Sequence, residues 1–312
     1  MGFNAIRFYL NYQTFENDEP PFMYKAKGWA WLDQNVEWAK KYGVYLVLNL
    51  HISHGGFQAL GDGDGLWGNS EYQDRLVNFW KKLASRYKDE PQIAGFSLMN
   101  KPVPATMEPW QNLAERLVKE IRTIDQNHIL FLEQSYYLKD QNKENTDLNF
   151  PVVDDENVVY EFQMYAPYTY THQMLEWAGL GDEGSYPNPE ISHYLNETPG
   201  YDNSDQPQFP RDKSYLEAAL KKYLDWSQEQ NLPLFMSEFG TCSATFKDDK
   251  GGLTWVKDVL SIADSANLSY SYHAYHEDAY GLFFGGDSLP DPGNSNRELI
   301  QVLSNSRILK RN

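Results

Sequence analysis

Residues 28–50 have the sequence GWAWLDQNVEWAKKYGVYLVLNL, which predicts one helix followed by one buried strand. Large apolar side chains recur three or four positions apart from Trp29 to Ala39, the spacing that places them on one face of a helix. Gly43 follows that face, and glycine is the residue that most often ends a helix. The apolar run after Gly43 is typical of a strand that is covered on both faces of a parallel sheet.

The same alternation of helix and strand continues on both sides of this stretch. Six further strand-like runs lie at residues 1–10, 93–100, 128–134, 157–165, 233–240 and 268–275. About seven parallel strands separated by helices indicate an α/β fold, either a (β/α)8 TIM barrel or a doubly wound sheet. No G-x-G-x-x-G motif follows the first strand, which favours the barrel. We interpret residues 1–312 as a single domain, in which residues 168–212 form a long, structureless, functional loop.

The composition is that of a globular protein with an acidic surface. Of 312 residues, 41% are hydrophobic, and 27 Lys and Arg against 44 Asp and Glu give a net charge of -17. A field of that sign repels nucleic acid and anionic lipid, so we expect neither as a partner. No apolar run is long enough to span a membrane, and the one cysteine, Cys242, excludes an intrachain disulfide. The 9 Trp and 22 Tyr suit a site that packs against uncharged sugar rings, or they fill the core.

Polar side chains follow the apolar runs, at the strand ends where barrel enzymes place their active sites. Glu238 is the most informative, because a carboxylate directly after an apolar run is costly to bury without a partner or a purpose. The histidine pairs near residues 51 and 273 lack a further ligand at metal-site spacing, so we expect no metal. The other polar residues at these strand ends are Arg7, His51, Asn100, Lys101, Gln163, Tyr165, Tyr272 and His273.

Five segments, in this order and spacing, resemble glycoside hydrolase family 5, the cellulase-type retaining β-glycosidases. They are GFNAIRFYL at 2–10, VLNLHISHGG at 47–56, the run from 69 to 102 that ends in SLMNKP, VYEFQMYAPYTYTHQ at 159–173 and FMSEFGT at 235–241. The resemblance extends from Gly2 to about Gly286. It implies a TIM barrel that hydrolyses a β-linked polysaccharide without a cofactor.

The family's site residues can be assigned where these motifs match. The resemblance implies that Glu238 is the nucleophile that forms a glycosyl-enzyme. It implies that Asn100 binds the sugar 2-hydroxyl and that His51 is a subsite histidine. Arg7 and Tyr165 match the groups that hold the nucleophile charged and oriented through hydrogen bonds.

Four further residues are candidate substrate contacts. Trp67 and Trp110 are candidate sugar platforms, with core or lid packing as the alternative. Gln163 stands where the family usually has a histidine, so its amide keeps a hydrogen bond but carries no proton. Tyr272 lies near a position that is often a sugar-stacking tryptophan, and it retains a flat face for stacking.

The largest departure from the family is at the acid/base position. The family motif is Asn-Glu-Pro, whose glutamic acid protonates the leaving oxygen and later activates water, whereas this sequence has Asn100, Lys101 and Pro102. Such proton transfer is typically worth about 10²- to 10⁴-fold in rate. We therefore expect an endo-β-1,4-glycanase with strongly impaired activity. The alternatives are an inactive, polysaccharide-binding pseudoenzyme and an inactivated variant of an active parent.

The resemblance also implies that the sequence opens inside the fold. In the family the Gly-x-Asn-x-x-Arg segment lies on the second barrel strand, so a first strand and helix are expected before Gly2 and are missing here. Seven strands would leave a gap with open edges. We expect a homodimer to cover it, with a truncated chain, a loop or direct contact of the flanking strands as alternatives. The opening residues lack the features of a signal peptide, although the family is mostly secreted, so the localisation is left open.

Overall fold

Strands and helices alternate along the chain in the computed structural model, which describes residues 2–60, 62–139, 148–195, 207–286 and 289–305. Every strand and helix that the sequence predicts is present. The strands are β1 (Ala5–Asn11), β2 (Tyr45–Ile52), β3 (Ile93–Ser97), β4 (Ile129–Glu133), β5 (Val158–Met164), β6 (Asn188–Tyr194), β7 (Gln208–Arg211), β8 (Leu234–Phe239) and β9 (Ser269–Tyr272). The helices are α1 (Ala26–Tyr42), α2 (Gly65–Gly68), α3 (Ser70–Tyr87), α4 (Met107–Arg122), α5 (Tyr168–Thr171), α6 (Lys213–Gln230), α7 (Gly252–Ala266) and α8 (Arg297–Ser304).

The chain forms two compact units, Asn4–Glu161, here called the first unit, and Phe162–Asn312 with Met1–Phe3, here called the second unit. In the first unit the strands are parallel and in the order β1-β2-β3-β4-β5. In the second unit the order is β5-β8-β9, with β8 and β9 parallel. The division falls within β5, and within the described residues the sheet has seven strands. The prediction of an α/β fold with about seven such strands is confirmed, and a single domain stays a prediction.

The stretch 168–212 is not the structureless loop that the sequence predicts. It contains α5 and the antiparallel pair β6 and β7, in which Asn188 lies opposite Arg211 and Tyr194 lies opposite Gln208. That prediction was wrong because proline argues against a central strand, and both β6 and β7 contain one. A two-stranded ribbon consists of edge strands alone, where a missing N–H donor costs little.

Caps and apolar faces fix the helices of the first unit. The side-chain oxygen of Asn69 accepts hydrogen bonds from the backbone N–H groups of Glu71 at 2.9 Å and Tyr72 at 3.3 Å, which starts α3. Gly43 ends α1 with a left-handed φ of 64°, a conformation that glycine adopts without strain. The buried face of α3 consists of Arg75, Leu76, Val77, Phe79, Trp80, Leu83, Ala84 and Tyr87.

A buried charged cluster joins α3 to the loops that follow β1 and β2. Glu16 is 0% exposed, accepts hydrogen bonds from Arg75 Nε and the Phe22 N–H, both at 2.8 Å, and lies 2.7 Å from His54 Nε2. Arg75 Nη2 also donates to Asp18 at 3.1 Å. Burial opposes the charge on Glu16, but these hydrogen bonds hold its pKa below the ordinary value. Burial lowers the pKa of His54, although Glu16 acts in the opposite direction.

Candidate active site

Arg7, on β1, is the centre of a polar cluster in the first unit. Its Nη2 donates to Oδ1 of Asn100 and to Oε2 of Glu133, both at 3.2 Å. Its Nε lies 3.5 Å from Oε2 of Glu161. The side chains of Arg7, Glu133 and Glu161 are 3%, 3% and 0% exposed. One guanidinium therefore lies between two buried carboxyl groups.

The cluster continues through side chains of the next two strands. Asn49 Nδ2, on β2, donates to Ser97 Oγ, on β3, at 2.7 Å. The Ser97 hydroxyl donates in turn to Oε1 of Glu161. Each strand from β1 to β5 thus supplies one polar side chain to a continuous network. This network holds the Arg7 guanidinium, which in turn donates to the Asn100 amide oxygen.

The sequence predicts two members of this network, Arg7 and Asn100, and the structure brings them together. It does not identify Glu133 and Glu161. Glu133 could have been found, because it ends the apolar strand ILFLE just as Glu238 follows the apolar run LFMS. Glu161 lies in the interior of β5, where the sequence pattern indicates burial but no partner.

Lys101 follows Asn100 in a tight turn beyond β3. Its φ of 47° is left-handed, a conformation that few residues other than glycine and asparagine adopt. The turn is fixed by the Tyr136 N–H, which donates to the carbonyl of Pro102 at 2.8 Å. The Lys101 ammonium lies 5.6 Å from the centre of the Tyr136 ring, within cation–π range, and that tyrosine is 51% exposed. The side chain at this position therefore supplies a positive charge directly after Asn100.

His51, at the end of β2, belongs to a column of rings. It is stacked on Tyr9 with ring centres 4.0 Å apart and planes 12° apart, and Phe57 lies on it at 5.2 Å. The Arg7 guanidinium covers the Tyr9 ring at 5.5 Å. The predicted subsite histidine is thus held next to the Arg7 cluster, by a tyrosine that the sequence analysis did not single out.

The two candidate platforms differ in exposure. Trp110 is 0% exposed, and its indole N–H donates to the backbone carbonyl of Glu133 at 3.0 Å. A buried ring offers no face to a sugar, so for Trp110 the structure supports packing and not the platform interpretation. Trp67 is half-buried and contacts the edge of Trp110 with ring centres 6.3 Å apart, so part of its ring is open to a ligand.

One buried amide joins three segments around Trp67. Gln58 Oε1 accepts from the Trp67 indole N–H at 2.9 Å and from the Val103 backbone N–H at 3.4 Å. Its Nε2 donates to the carbonyl of Gly63 at 2.8 Å. A Cβ on Gly63 would lie 2.0 Å from that same nitrogen, so a side chain at this position would displace the Gln58 amide. The loop after β2 and the segment after Lys101 are therefore tied by a single side chain.

Glu238 is the next-to-last residue of β8 in the second unit, and its side chain is directed to Tyr165. The Tyr165 hydroxyl donates to Oε2 of Glu238 at 2.8 Å, and Glu238 is 2% exposed. The sequence predicts this pair, and the structure brings it together. A buried carboxylate that accepts a hydrogen bond from a phenol is oriented and cannot turn freely.

Polar and aromatic groups from the segments after β5 and β9 surround Tyr165. The Thr171 hydroxyl donates to the carbonyl of Tyr165 at 2.5 Å and contacts Nδ1 of His172 at 2.9 Å. The Tyr165 ring meets the rings of His172 and Tyr280 edge-on, with centres 5.4 and 5.7 Å away. The Thr-His-Gln motif that supports the family resemblance thus packs around the phenol that holds Glu238.

The remaining predicted contacts lie on β5 and at the end of β9. Gln163 is half-buried on β5, two residues before Tyr165. Tyr272 is half-buried at the end of β9 and meets the Phe239 ring edge-on at 5.3 Å. Nε2 of His273 lies 3.3 Å from Glu277. Tyr272 and His273 are therefore neighbours of β8, the strand that carries Glu238.

Two negative findings apply to the described residues. Among them, no three His, Cys, Asp or Glu side chains are grouped so as to hold a metal ion. No helix in the same ranges is both long enough and apolar enough to cross a membrane.

Comparison with known proteins gives one family. The family model of cellulase, described as glycosyl hydrolase family 5, matches residues 1–279. Among curated proteins, endoglucanase C of Acetivibrio thermocellus is 26% identical over 311 residues, which cover 97% of this chain and 87% of that protein.

Solved structures show the same fold. Cel5A of Thermotoga maritima, in a structure with cellobiose, superposes with a TM-score of 0.70 at 21% identity, over 97% of this chain and 86% of that one. A structure of the same enzyme with mannotriose gives a TM-score of 0.68 at 22% identity, again over 97% and 86% of the two chains. At this identity the likeness establishes the TIM-barrel type of fold.

Proposed function

Since the chain belongs to glycosyl hydrolase family 5, we propose that it cleaves β-1,4-linked glucan as a retaining endo-β-glycanase, with Glu238 as nucleophile. One observation carries the proposal. Glu238 is a buried carboxylate at the end of a barrel strand, and the Tyr165 hydroxyl holds it at 2.8 Å. A carboxylate oriented in this way can attack an anomeric carbon and form a glycosyl ester.

The remaining roles follow the family motifs. Asn100 binds the sugar 2-hydroxyl, and Arg7 orients it, since its Nη2 donates to Asn100 Oδ1. His51 contributes to a subsite, and Gln163, Trp67 and Tyr272 contact the sugar chain. Glucan is the substrate because the family model is that of cellulase. The residues give no reason to prefer mannan, which Cel5A of Thermotoga maritima accepts as mannotriose.

The proposed rate of hydrolysis depends on whether the leaving group needs a proton. Lys101 supplies no carboxyl group to protonate the glycosidic oxygen, so cleavage of glucan loses much of the assistance, about 10²- to 10⁴-fold, that a general acid gives. A dinitrophenyl leaving group needs no proton in the first step. We therefore propose slow hydrolysis of glucan together with rapid formation of a glycosyl-enzyme from an activated substrate.

Mass spectrometry with 2,4-dinitrophenyl β-cellobioside tests this function. The expected result is a burst of dinitrophenolate and a cellobiosyl adduct on the peptide that contains Glu238. The Glu238→Gln variant is the matched control and gives neither. Absence of an adduct on the wild-type protein would contradict the proposal.

A polysaccharide-binding protein without hydrolysis is the second candidate. The observation that favours it is the Lys101 ammonium, which lies 5.6 Å from the centre of the exposed Tyr136 ring, at the residue that the family motif assigns to the general acid. It predicts retarded migration in gels that contain neutral glucan, with no adduct from the dinitrophenyl substrate. The two measurements together separate the candidates.

A homodimer is a separate proposal about the assembled protein. It is supported by α1, on which Trp38 and Tyr42 are 52% and 68% exposed, since exposed large apolar side chains are enriched where subunits meet. Sedimentation velocity over a range of concentrations should give about twice the mass of one chain. A monomer throughout that range would contradict it.

A further inference from the structure

We propose that Thr171 is a positioning residue for the nucleophile: its buried hydroxyl fixes Tyr165 and, through Tyr165, orients the Glu238 carboxylate. This inference deepens the proposed function and rests on it. All three residues lie in the second unit. Thr171 is the last residue of α5 and is 0% exposed. It therefore has no surface to offer to a substrate and acts only through its neighbours.

The single proton of the Thr171 hydroxyl is directed to Tyr165. The hydroxyl oxygen lies 2.5 Å from the carbonyl of Tyr165, 3.3 Å from that of Pro167 and 3.4 Å from that of Tyr168. A carbonyl oxygen can only accept, so the shortest of these contacts must contain the hydroxyl proton. The remaining contact, 2.9 Å to Nδ1 of His172, is then donated by the imidazole. The backbone of Tyr165 is thus held by a side chain six residues later in the sequence.

A second contact of Thr171 leads to the segment that follows Glu238. The Thr171 carbonyl accepts a hydrogen bond from the backbone N–H of Cys242 at 2.9 Å. Cys242 lies four residues after Glu238, just beyond the end of β8. Its thiol donates to the carbonyl of Gln173 at 3.1 Å, and burial raises the pKa of the thiol, so it keeps the proton for this bond. Two hydrogen bonds therefore join the turn that ends α5 to the continuation of β8.

Together these contacts close a ring of bonds around the nucleophile. The Tyr165 hydroxyl donates to Oε2 of Glu238 at 2.8 Å, and the chain runs from Glu238 to Cys242. The Cys242 N–H donates to Thr171, whose hydroxyl returns to the Tyr165 carbonyl. Both the phenol and the peptide group of Tyr165 are therefore fixed to the same strand, and the Thr171 hydroxyl is the side-chain bond that closes the ring.

The aromatic contacts of Tyr165 do not replace this bond. The rings of His172, Tyr280 and His273 meet the Tyr165 ring edge-on, with centres 5.4, 5.7 and 6.3 Å away. Contacts of this kind limit the tilt of a ring but depend only weakly on a shift along its long axis. A shift along that axis is what changes the distance from the phenol to Glu238. The hydrogen bond from Thr171 to the Tyr165 backbone opposes this shift.

The test is a double-mutant cycle of Thr171→Val and Tyr165→Phe, followed by adduct formation from dinitrophenyl β-cellobioside. Valine keeps the shape of threonine without the hydroxyl. Thr171→Val should slow formation of the adduct on Glu238 by about 10- to 10²-fold, the effect of a misplacement of about 1 Å, and leave the dissociation constant of the substrate unchanged. Thr171→Ser keeps the hydroxyl and should retain the wild-type rate. In the Tyr165→Phe background Thr171→Val should cause no further slowing, because the phenol that it positions is absent.

Thr245→Val is the matched control from the same unit. Thr245 is also 0% exposed, and its hydroxyl donates to a backbone carbonyl, that of Cys242, at 2.7 Å. Loss of this hydroxyl should lower stability as Thr171→Val does, since each removes one buried hydrogen bond. Because Thr245 does not bond to Tyr165, the variant should form the adduct at the wild-type rate.

Each outcome decides between positioning and a merely structural role. Equal slowing in Thr171→Val and Thr245→Val, equal slowing in Thr171→Val and Thr171→Ser, or further slowing of Tyr165→Phe by Thr171→Val would overturn this inference alone. Absence of any adduct on the wild-type protein would overturn the proposed function and this inference with it. If Thr171→Val does not fold, Thr171→Cys takes its place, since a thiol is a weak donor. This variant should form the adduct more slowly, and a wild-type rate would overturn the inference.

Discussion

At the scale of single residues, Lys101 is the residue that we propose limits how well the protein cleaves a glycosidic bond. Its left-handed φ of 47° and the hydrogen bond from Tyr136 to Pro102 shape the turn irrespective of the side chain that it carries. A substitution at this position therefore changes the chemistry of the site more than its backbone.

Placing a carboxyl group at residue 101 should raise the activity. We expect Lys101→Glu to increase the release of reducing sugar from β-glucan by about 10²- to 10⁴-fold, because a general acid is then next to Asn100. Lys101→Gln is the matched control, since it removes the charge without supplying a proton, and we expect no such gain from it. Equal rates for the two variants would show that another departure, such as Gln163, disables the site.

The site residues that can be predicted from the sequence are the polar residues that stand at the ends of apolar strands. Glu238 and Tyr165 follow apolar strands as polar residues, and the structure joins them at 2.8 Å. Glu161 could not be predicted, because its partners lie on β1 and β3 and depend on the stagger of the strands. Trp110 could not be assigned either, since the same indole can stack on a sugar or fill a core, and its burial decides between the two.

At the scale of elements, the Glu16 cluster ties the loops after β1 and β2 to α3. We expect Arg75→Met to lower the free energy of unfolding by about 3 to 5 kcal/mol, because it leaves the buried Glu16 charge with one partner fewer. Arg86→Met is the control. Arg86 pairs with Asp33 on the surface, where such a pair contributes about 1 kcal/mol or less. Urea denaturation of the two variants measures the difference, and similar losses would contradict the assignment of Glu16 as a buried anion.

The same cluster should make stability depend on pH through His54. Burial holds its folded-state pKa below the ordinary 6.5, so the unfolded chain binds the proton first as the pH falls. Stability is then lost from about pH 6.5 down to the folded-state value, by up to about 1.4 kcal/mol per pH unit. The lowered pKa of Glu16 adds a second loss that begins below 4.5. His54→Gln should flatten the first part of the curve, and unfolding curves between about pH 7.5 and about pH 5 would show whether it does.

Helices and strands whose apolar residues recur at a regular spacing can be predicted from the sequence, whereas those without such a spacing cannot. The sequence predicts α6 at about Lys213–Gln230 and α7 at Gly252–Ala266, because apolar residues recur at helical spacing throughout each segment. The structure has the same bounds. It does not predict β6 and β7, whose burial pattern is mostly exposed or intermediate and whose pairing is set by contact between the two strands. It also misses α8, which has eight residues and two buried positions.

At the scale of the whole molecule, the net charge of -17 should select among polymers. Carboxymethylcellulose is a polyanion, so the protein's own field should weaken its binding at low ionic strength, where the screening length reaches about 30 Å. We expect its affinity to rise several-fold as salt increases from about 10 mM to about 300 mM, whereas that of neutral hydroxyethylcellulose stays constant. Fluorescence titrations, which the 9 tryptophans allow, measure both. A parallel response of the two polymers would contradict a role for the overall field.

The fold class could be predicted at this scale because it depends on the number and order of strands, which the apolar runs give directly. The division into the first and second units could not be predicted. Its boundary falls inside one strand, β5, and depends on how closely the residues within each unit pack together. A run of apolar residues does not show where such a division lies.

The hydrogen bonds of Gln58 link the opening of two segments of the chain. Because one buried amide bonds Gly63, Trp67 and Val103 together, none of the three can open alone without leaving a buried polar group unsatisfied. The loop after β2 and the turn after Lys101 should therefore open as one unit. We expect the indole proton of Trp67 and the backbone amide proton of Val103 to exchange with deuterium at one common rate, and Gln58→Ala to accelerate both by a similar factor. Nuclear magnetic resonance can follow the two protons separately, and unequal rates would show that the two segments move independently.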